Sequence, residues 1–297
     1  MPSVRVRKPP QFTWMDRTVS ALVLSAAEGH RCQTRRVGTS TGVTVVAHRG
    51  LAPGLPENTP AAFRGAIALD VDAIEIDLRV TADGHLVVMH DDTVDRTTNG
   101  HGRVADLTLD RIKSLDAGSI AGPGFSAERV PTYREVLEIV QGHRTQLLLD
   151  IKDCPPEAKA EIVGLTDYFD AAQKVIVGPR TVTDLRAFER LDPRLRTLAL
   201  VPGRTDLPPD PSDIAAFIDA GADIVRLWPA WLLTDHHAGV RLMESVMARR
   251  VPVWTCADSL YGDISADTPE NDLGRLVDIG VTGILTDLPE TLLGIVR

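Results

Sequence analysis

Ala73-Ile74-Glu75-Ile76-Asp77-Leu78-Arg79-Val80 is the stretch on which the reading of the fold turns. It is an apolar, β-branched run interrupted by two carboxylates two residues apart, so on a strand Glu75 and Asp77 point to the same side. A turn at Ala82-Asp83-Gly84 leads into Leu86–His90, which reads as an antiparallel return. Outward from this hairpin, similar short runs recur at 43–48, 146–151, 174–178, 195–201, 224–227, 251–255 and 283–286. Helix-like segments separate them, at 59–69, 133–140, 157–169, 183–191, 213–220, 236–249, 272–279 and 290–296. Asn58-Thr59 with Pro60, Thr183-Asp184, and Asp287 with Pro289 mark helix starts.

With the return strand set aside, this makes eight strand–helix units in about 255 residues, which fits a (β/α)8 TIM barrel in count and length. No glycine-rich nucleotide turn follows the first run, which removes a reason to prefer a doubly wound sheet. Residues 91–131 break the alternation and are rich in glycine. They read as a small insertion after the second strand, over one barrel mouth. The barrel is expected to span residues 43–297, and residues 1–42 to be an extension outside the fold.

Active sites of such barrels lie at the carboxyl ends of the strands. His48 ends the first run, Glu75 and Asp77 lie in the second, His90 closes the return, Asp150 and Lys152 end the third, and Trp254 ends the seventh. Glu75, Asp77 and Asp150 form an all-oxygen donor set, which suits one hard divalent cation, Mg²⁺ or Ca²⁺. The alternative is a salt-bridged pair with Arg79 or Lys152 as partner. Imidazoles titrate near neutrality, so His48 and His90 are candidates for acid/base work. Arg49 offers a planar donor fork suited to phosphate, or a partner for Glu57 or Asp77, and Lys152 offers a point charge. Glu57-Asn58 is placed to cap the following helix or to put polar groups in the mouth. Trp254 suits the core or the carbon skeleton of an alcohol.

The formal net charge is −9, a field that repels nucleic acid but not a small anion in a locally basic pocket. Three cysteines at wide spacing make no disulfide framework and no zinc pattern. No run approaches the roughly 18 apolar residues of a membrane span. Residues 19–27 form only a short apolar stretch behind Arg5, Arg7, Lys8 and Arg17, which favours a cytoplasmic enzyme over one secreted through a signal peptide.

Several motifs in order resemble the glycerophosphodiester phosphodiesterase family: His48-Arg49-Gly50, Pro56-Glu57-Asn58-Thr59, Glu75-x-Asp77, Asp83-Gly84 leading to His90-Asp91, Arg96-Thr97-Thr98-Asn99-Gly100, Pro131-Thr132, Val253-Trp254-Thr255, and Gly280-Val281-x-Gly283-Ile284-x-Thr286-Asp287. The resemblance implies a (β/α)8 barrel with an insertion after the second strand. It implies His48 and His90 as catalytic acid and base, Glu75, Asp77 and Asp150 as metal ligands, and Arg49 and Lys152 as phosphate contacts. Glu57 then falls near the metal and the glycerol, and Trp254 beside the glycerol. Asp150 stands where the family most often has Glu, one methylene longer. The implied reaction is metal-dependent hydrolysis of a small glycerophosphodiester to sn-glycerol 3-phosphate and an alcohol, attack by the glycerol 2-hydroxyl passing through a cyclic phosphate. Competing expectations are a lysophospholipase D, a phospholipase-C-like phosphodiesterase on lipid head groups, and a barrel that binds phosphodiesters without turnover.

Overall fold

The computed structural model describes residues 42–297 apart from 53, 153–154, 202–210 and 261. The expected N-terminal extension, and Cys32 and Cys154, lie outside the described residues. The strands are β1 (Thr44–Ala47), β2 (Ala73–Val80), β3 (Leu86–Val88), β4 (Gln146–Ile151), β5 (Val175–Gly178), β6 (Arg196–Leu200), β7 (Ile224–Leu227), β8 (Val253–Cys256) and β9 (Gly283–Thr286). They follow the order β1-β9-β8-β7-β6-β5-β4-β2, and a β1–β2 pairing closes the ring. Every pairing within the ring is parallel, while β3 adds antiparallel to β2 outside it. The expected (β/α)8 barrel is the fold.

The helices are α1 (Pro60–Ala68), α2 (Leu109–Lys113), α3 (Tyr133–Val140), α4 (Pro156–Tyr168), α5 (Val182–Leu191), α6 (Pro211–Asp219), α7 (Pro229–Leu233), α8 (His236–Met247), α9 (Pro269–Ile279) and α10 (Pro289–Val296). Thr59 caps α1 by accepting from the Ala62 N–H, with Pro60 in the first turn. Thr132 and Glu135 form a capping box on α3. Two start signals act differently from the expectation. Thr181, not Thr183, caps α5. Asp287 does not cap α10; it accepts from Ser259 and Leu260 and so ties the β9 end to the loop after β8.

Alternation along the strands builds two separate cores. Ile74, Ile76 and Leu78 of β2, Leu147 and Leu149 of β4, and Val225 and Leu227 of β7 face outward into the layer shared with the helices. Val46, Ala73, Leu148, Ile176, Leu198, Ile224 and Trp254 face inward and fill the barrel. Residues of the same parity further along each strand therefore emerge together at one mouth. Residues 91–131 add 3₁₀ turns at Val104–Asp106 and Pro123–Phe125, and α2. Val94, Val104, Ile112, Leu115 and Val130 pack there against Val87 and Met89 of the return strand.

Trp254 fits inside the barrel because β9 presents a glycine beside it. A Cβ at Gly283 would lie only 2.5–2.6 Å from atoms of the indole. Gly283→Ala is expected to destabilise the fold by about 1–3 kcal/mol through overpacking. Urea unfolding with an unchanged midpoint would contradict this packing.

Candidate active site

The first strand ends in a turn that aims its backbone into the barrel. Arg49 and Gly50 take left-handed backbone angles (φ 56° and 85°), and a Cβ at Gly50 would lie 2.7–2.9 Å from atoms of Ala62. Only glycine relieves that contact without moving α1. The turn directs the Arg49 backbone N–H to Glu75 Oε2 at 3.1 Å. His48, just before it, has Nδ1 2.8 Å from Asp258 Oδ2 and Nε2 3.8 Å from Glu75 Oε2. Burial pulls the His48 pKa down, but the hydrogen bond and charge of Asp258, with the charge of Glu75, override it and raise the pKa to about 9.

Glu75, Asp77 and Asp150 come together as the shared parity of β2 and β4 requires. Asp77 and Asp150 are register partners, and one oxygen from each of the three carboxylates lies within 4.8 Å of the others. Lys152 Nζ sits 2.8 Å from Asp77 Oδ1 and 2.6 Å from Asp150 Oδ2. Asn58 Nδ2 donates to Asp77 Oδ2 at 2.8 Å, and Arg49 Nε lies 3.3 Å from the same oxygen. Arg180 Nη2 grips both Asp150 oxygens at 2.8 and 2.7 Å. Burial opposes ionisation of Asp77 and Asp150, yet Lys152 above all holds both below the usual carboxylate range, Asp150 at about 2. Glu75 goes the other way: burial first, then the charge of Asp77, push it well above that range.

This imbalance bears on whether the cluster fits a metal. Glu75 and Asp77 are buried side by side, and a second negative charge there is disfavoured without a further cation. The donors are all oxygen, which matches a hard divalent ion. The residues present fit such a group. The salt-bridge alternative is also partly realised, since Lys152 pairs with Asp77, whereas Arg79 donates instead to the His90 carbonyl at 2.8–3.0 Å.

His90 stands two residues beyond β3, held from behind. Its Nδ1 is 2.7 Å from Asp91 Oδ1, which fixes the ring. Arg96 then donates to both Asp91 oxygens and, from its other edge, to both Glu57 oxygens. Glu57 also accepts from Arg49 Nη1 at 2.9 Å. The Arg49 fork is thus engaged by Glu57 and Asp77, as its structural alternative anticipated. Burial lowers the His90 pKa, and the Lys152 and Arg49 charges reinforce this against the pull of Asp77. The surroundings thus push the two histidines in opposite directions: Asp258 and Glu75 favour the charged form of His48, and burial with the nearby cations favours the neutral form of His90.

Both histidines line one cavity of about 360 Å³ with Arg49, Glu75, Asp150, Lys152 and Trp254. Trp254 lies in its floor, 4 % exposed, rather than at the rim. Sequence reasoning missed Asp258, Arg180 and Arg226, which line the same cavity. Each lies two or four residues beyond a residue that the structure shows facing inward, Trp254, Ile176 and Ile224, so parity was the one signal available, and parity alone does not say which face of a strand is the inner one.

Asp258→Asn would remove the charge that keeps His48 protonated. The sign follows: a raised pKa means that the charged form persists up to about pH 9 and is lost above it. The alkaline limb of any reaction needing His48 as an acid should move down by about one unit or more in the variant. A pH–rate profile with an unmoved alkaline limb would contradict the role of Asp258.

The model of the glycerophosphoryl diester phosphodiesterase family matches residues 48–291. The chain is 34 % identical over 256 residues to a glycerophosphodiester phosphodiesterase of Caldanaerobacter subterraneus subsp. tengcongensis, covering 85 % of this chain and 97 % of that one. The crystal structure of a glycerophosphodiester phosphodiesterase from Agrobacterium tumefaciens aligns with a TM-score of 0.68 at 26 % identity, over 85 % of this chain and 99 % of that one. An Oleispira antarctica phosphodiesterase, solved in complex with the product sn-glycerol-3-phosphate, shares the fold with a TM-score of 0.71 at 22 % identity, over 85 % and 96 % of the two chains. These likenesses make the protein a (β/α)8-barrel phosphoric diester hydrolase. It belongs to the glycerophosphoryl diester phosphodiesterase family.

Proposed function

We propose that the enzyme hydrolyses glycerophosphodiesters to sn-glycerol 3-phosphate and an alcohol in the cytoplasm, with His48 as general acid and His90 as general base. The observation that carries this reading is the placement, in one cavity, of two histidines held through Nδ1 by different carboxylates, Asp258 and Asp91, beside a buried carboxylate cluster. Glu75, Asp77 and Asp150 would hold one divalent cation, Mg²⁺ or Ca²⁺, which when bound supplies positive charge against the phosphate oxygens. Arg49 and Lys152 exchange part of their carboxylate pairing for the non-bridging oxygens and the charge that builds on them. His90 takes the proton of the attacking glycerol 2-hydroxyl through Nε2, since Nδ1 is held by Asp91. His48 gives its Nε2 proton to the alcohol oxygen as its bond to phosphorus breaks. A cyclic phosphate results, and water opens it with the two roles reversed. Trp254 packs under the glycerol carbons, and Glu57 holds Arg49 in place.

The test is release of sn-glycerol 3-phosphate from glycerophosphocholine or glycerophosphoethanolamine with Mg²⁺ or Ca²⁺ added. Absence of release with either metal would overturn the proposal. One observation favours a second reading, a lysophospholipase D. A groove of about 280 Å³ lined by Ala52, Leu55, Ile120 and Leu260 adjoins His48 and Arg49, and Ile120 and Leu260 are exposed there. Faster choline release from lysophosphatidylcholine than from glycerophosphocholine would support it. No helix among the described residues is long and apolar enough to cross a membrane.

A further inference from the structure

Across the barrel mouth from the acidic cluster lies a cation that the mechanism above does not use. β7 is four strands from β2 in either direction round the ring, so Arg226, inward-facing after Ile224, stands opposite Glu75 and Asp77. Arg226 is only 8 % exposed. Its guanidinium stacks on the Trp228 indole, 3.8 Å from the ring centroid, and Nη1 donates to Cys256 Sγ at 3.4 Å. Among the described residues Nε has no hydrogen-bond partner and neither has the Trp228 indole N–H, although both atoms are buried. No carboxylate among the described residues forms an ion pair with Arg226. The acid nearby on the cavity wall, Asp263, is held by burial and by Asp258 above its ordinary pKa, which weakens it as a counter-charge.

A guanidinium removed from water, with a thiol as its acceptor and a donor unused, is an incomplete arrangement. A thiol sulfur accepts weakly, whereas the planar fork matches a carboxylate or phosphate. Stacking on Trp228 fixes the plane of that fork. The cavity, about 360 Å³, is within the roughly 300–1,000 Å³ of small-molecule sites and joins this pole to the two histidines. Glycerol bears no charge. A second anion on a glycerophosphodiester therefore sits on the alcohol.

We infer that Arg226 and Trp228 form a second anion subsite, which takes a carboxylate or phosphate carried on the alcohol portion of the substrate. The inference rests on the phosphodiesterase reading, and the test separates the two. Glycerophosphoserine and glycerophosphoethanolamine differ by a single carboxylate. Their kcat/KM values are measured for the full chain with a saturating divalent cation, and for Arg226→Gln and Arg226→Lys. The wild type should prefer the serine ester by roughly 10- to 100-fold, the range expected for a charged hydrogen bond. Arg226→Gln should bring the ratio close to one, and Arg226→Lys should keep an intermediate preference. A wild-type ratio near one, which needs no variant to fold, overturns the subsite, as does a preference that survives in Arg226→Gln. Turnover of neither ester overturns the phosphodiesterase reading instead. The subsite then stands or falls on whether titration calorimetry shows phosphoserine binding more tightly than phosphoethanolamine in the wild type and equally in Arg226→Gln.

Discussion

His48→Ala and His90→Ala should each lower kcat on glycerophosphoethanolamine by roughly 10²–10⁴. The expectation follows from where each ring is held. Asp258 fixes His48 through Nδ1 and keeps it charged, with Nε2 towards Glu75. Asp91, itself locked by Arg96, fixes His90, which burial and nearby cations keep neutral. One ring is thereby ready to give a proton and the other to take one at the same pH. The two losses should not add in the double variant, because groups that act on one transition state are non-additive. KM should change less than kcat if proton transfer is their work. The pH profile should rise below the ordinary histidine range, as His90 loses its proton. It should fall on the alkaline side as His48 loses its proton; the charge of Glu75 helps to raise that pKa to about 9 without a cation, so in the metal-loaded enzyme that turns over substrate the limb should lie below that pH. A variant with wild-type kcat at either position would remove that residue from the acid/base pair.

Substitution within the carboxylate cluster should have an effect of similar size. Asp77→Asn keeps the shape of the side chain and its contact with Asn58 but removes the charge that Lys152 and Arg49 face. Metal charge stabilisation is worth several kcal/mol, so a rate loss on the order of 10³ is expected. A parallel weakening of divalent-ion binding should be seen by titration calorimetry. Asp77→Asn should also lower the Glu75 pKa, since the charge of Asp77 is the second cause of its rise, after burial. Unaltered ion binding in this variant would show that Asp77 is no ligand and that the cluster is satisfied by Lys152 and Arg180 alone.

Much of the barrel was legible because strands that face a packed core on both sides must be apolar along their length. β2, β4, β7 and β9 fall where their β-branched runs do. The hairpin β2–β3 was marked by Asp83-Gly84, where Gly84 takes a left-handed angle. Less legible were features set by tertiary contacts. α7 is five residues long, too short to show a period, and is held by burial of Trp231 and Leu232. Thr181 rather than Thr183 starts α5 because the polypeptide leaves β5 through a short Pro179-Arg180 link.

The site shows the same division. His48 and Asp150 were legible as polar residues at strand ends, and Glu75 and Asp77 as a same-side pair inside β2. Asp258 and Arg180 lie past the strand ends, where the loop path decides direction. Arg226 is inside β7, yet a lone basic residue in a four-residue strand gave no sign that it faces the cavity until the register with Trp254 was known. Asp150, one methylene shorter than the family pattern, is held by both Lys152 and Arg180.

The division of labour between the two histidines is tested most directly by changing the leaving group. Nitrophenolate leaves a nitrophenyl ester of glycerol phosphate as a stable anion without needing a proton, whereas ethanolamine leaves its ester as an alcohol and requires one. The account predicts that His48→Ala loses less than about tenfold on the nitrophenyl ester while keeping its roughly 10²–10⁴ loss on the ethanolamine ester, and that His90→Ala is impaired on both. Rescue of His90→Ala instead of His48→Ala would contradict it.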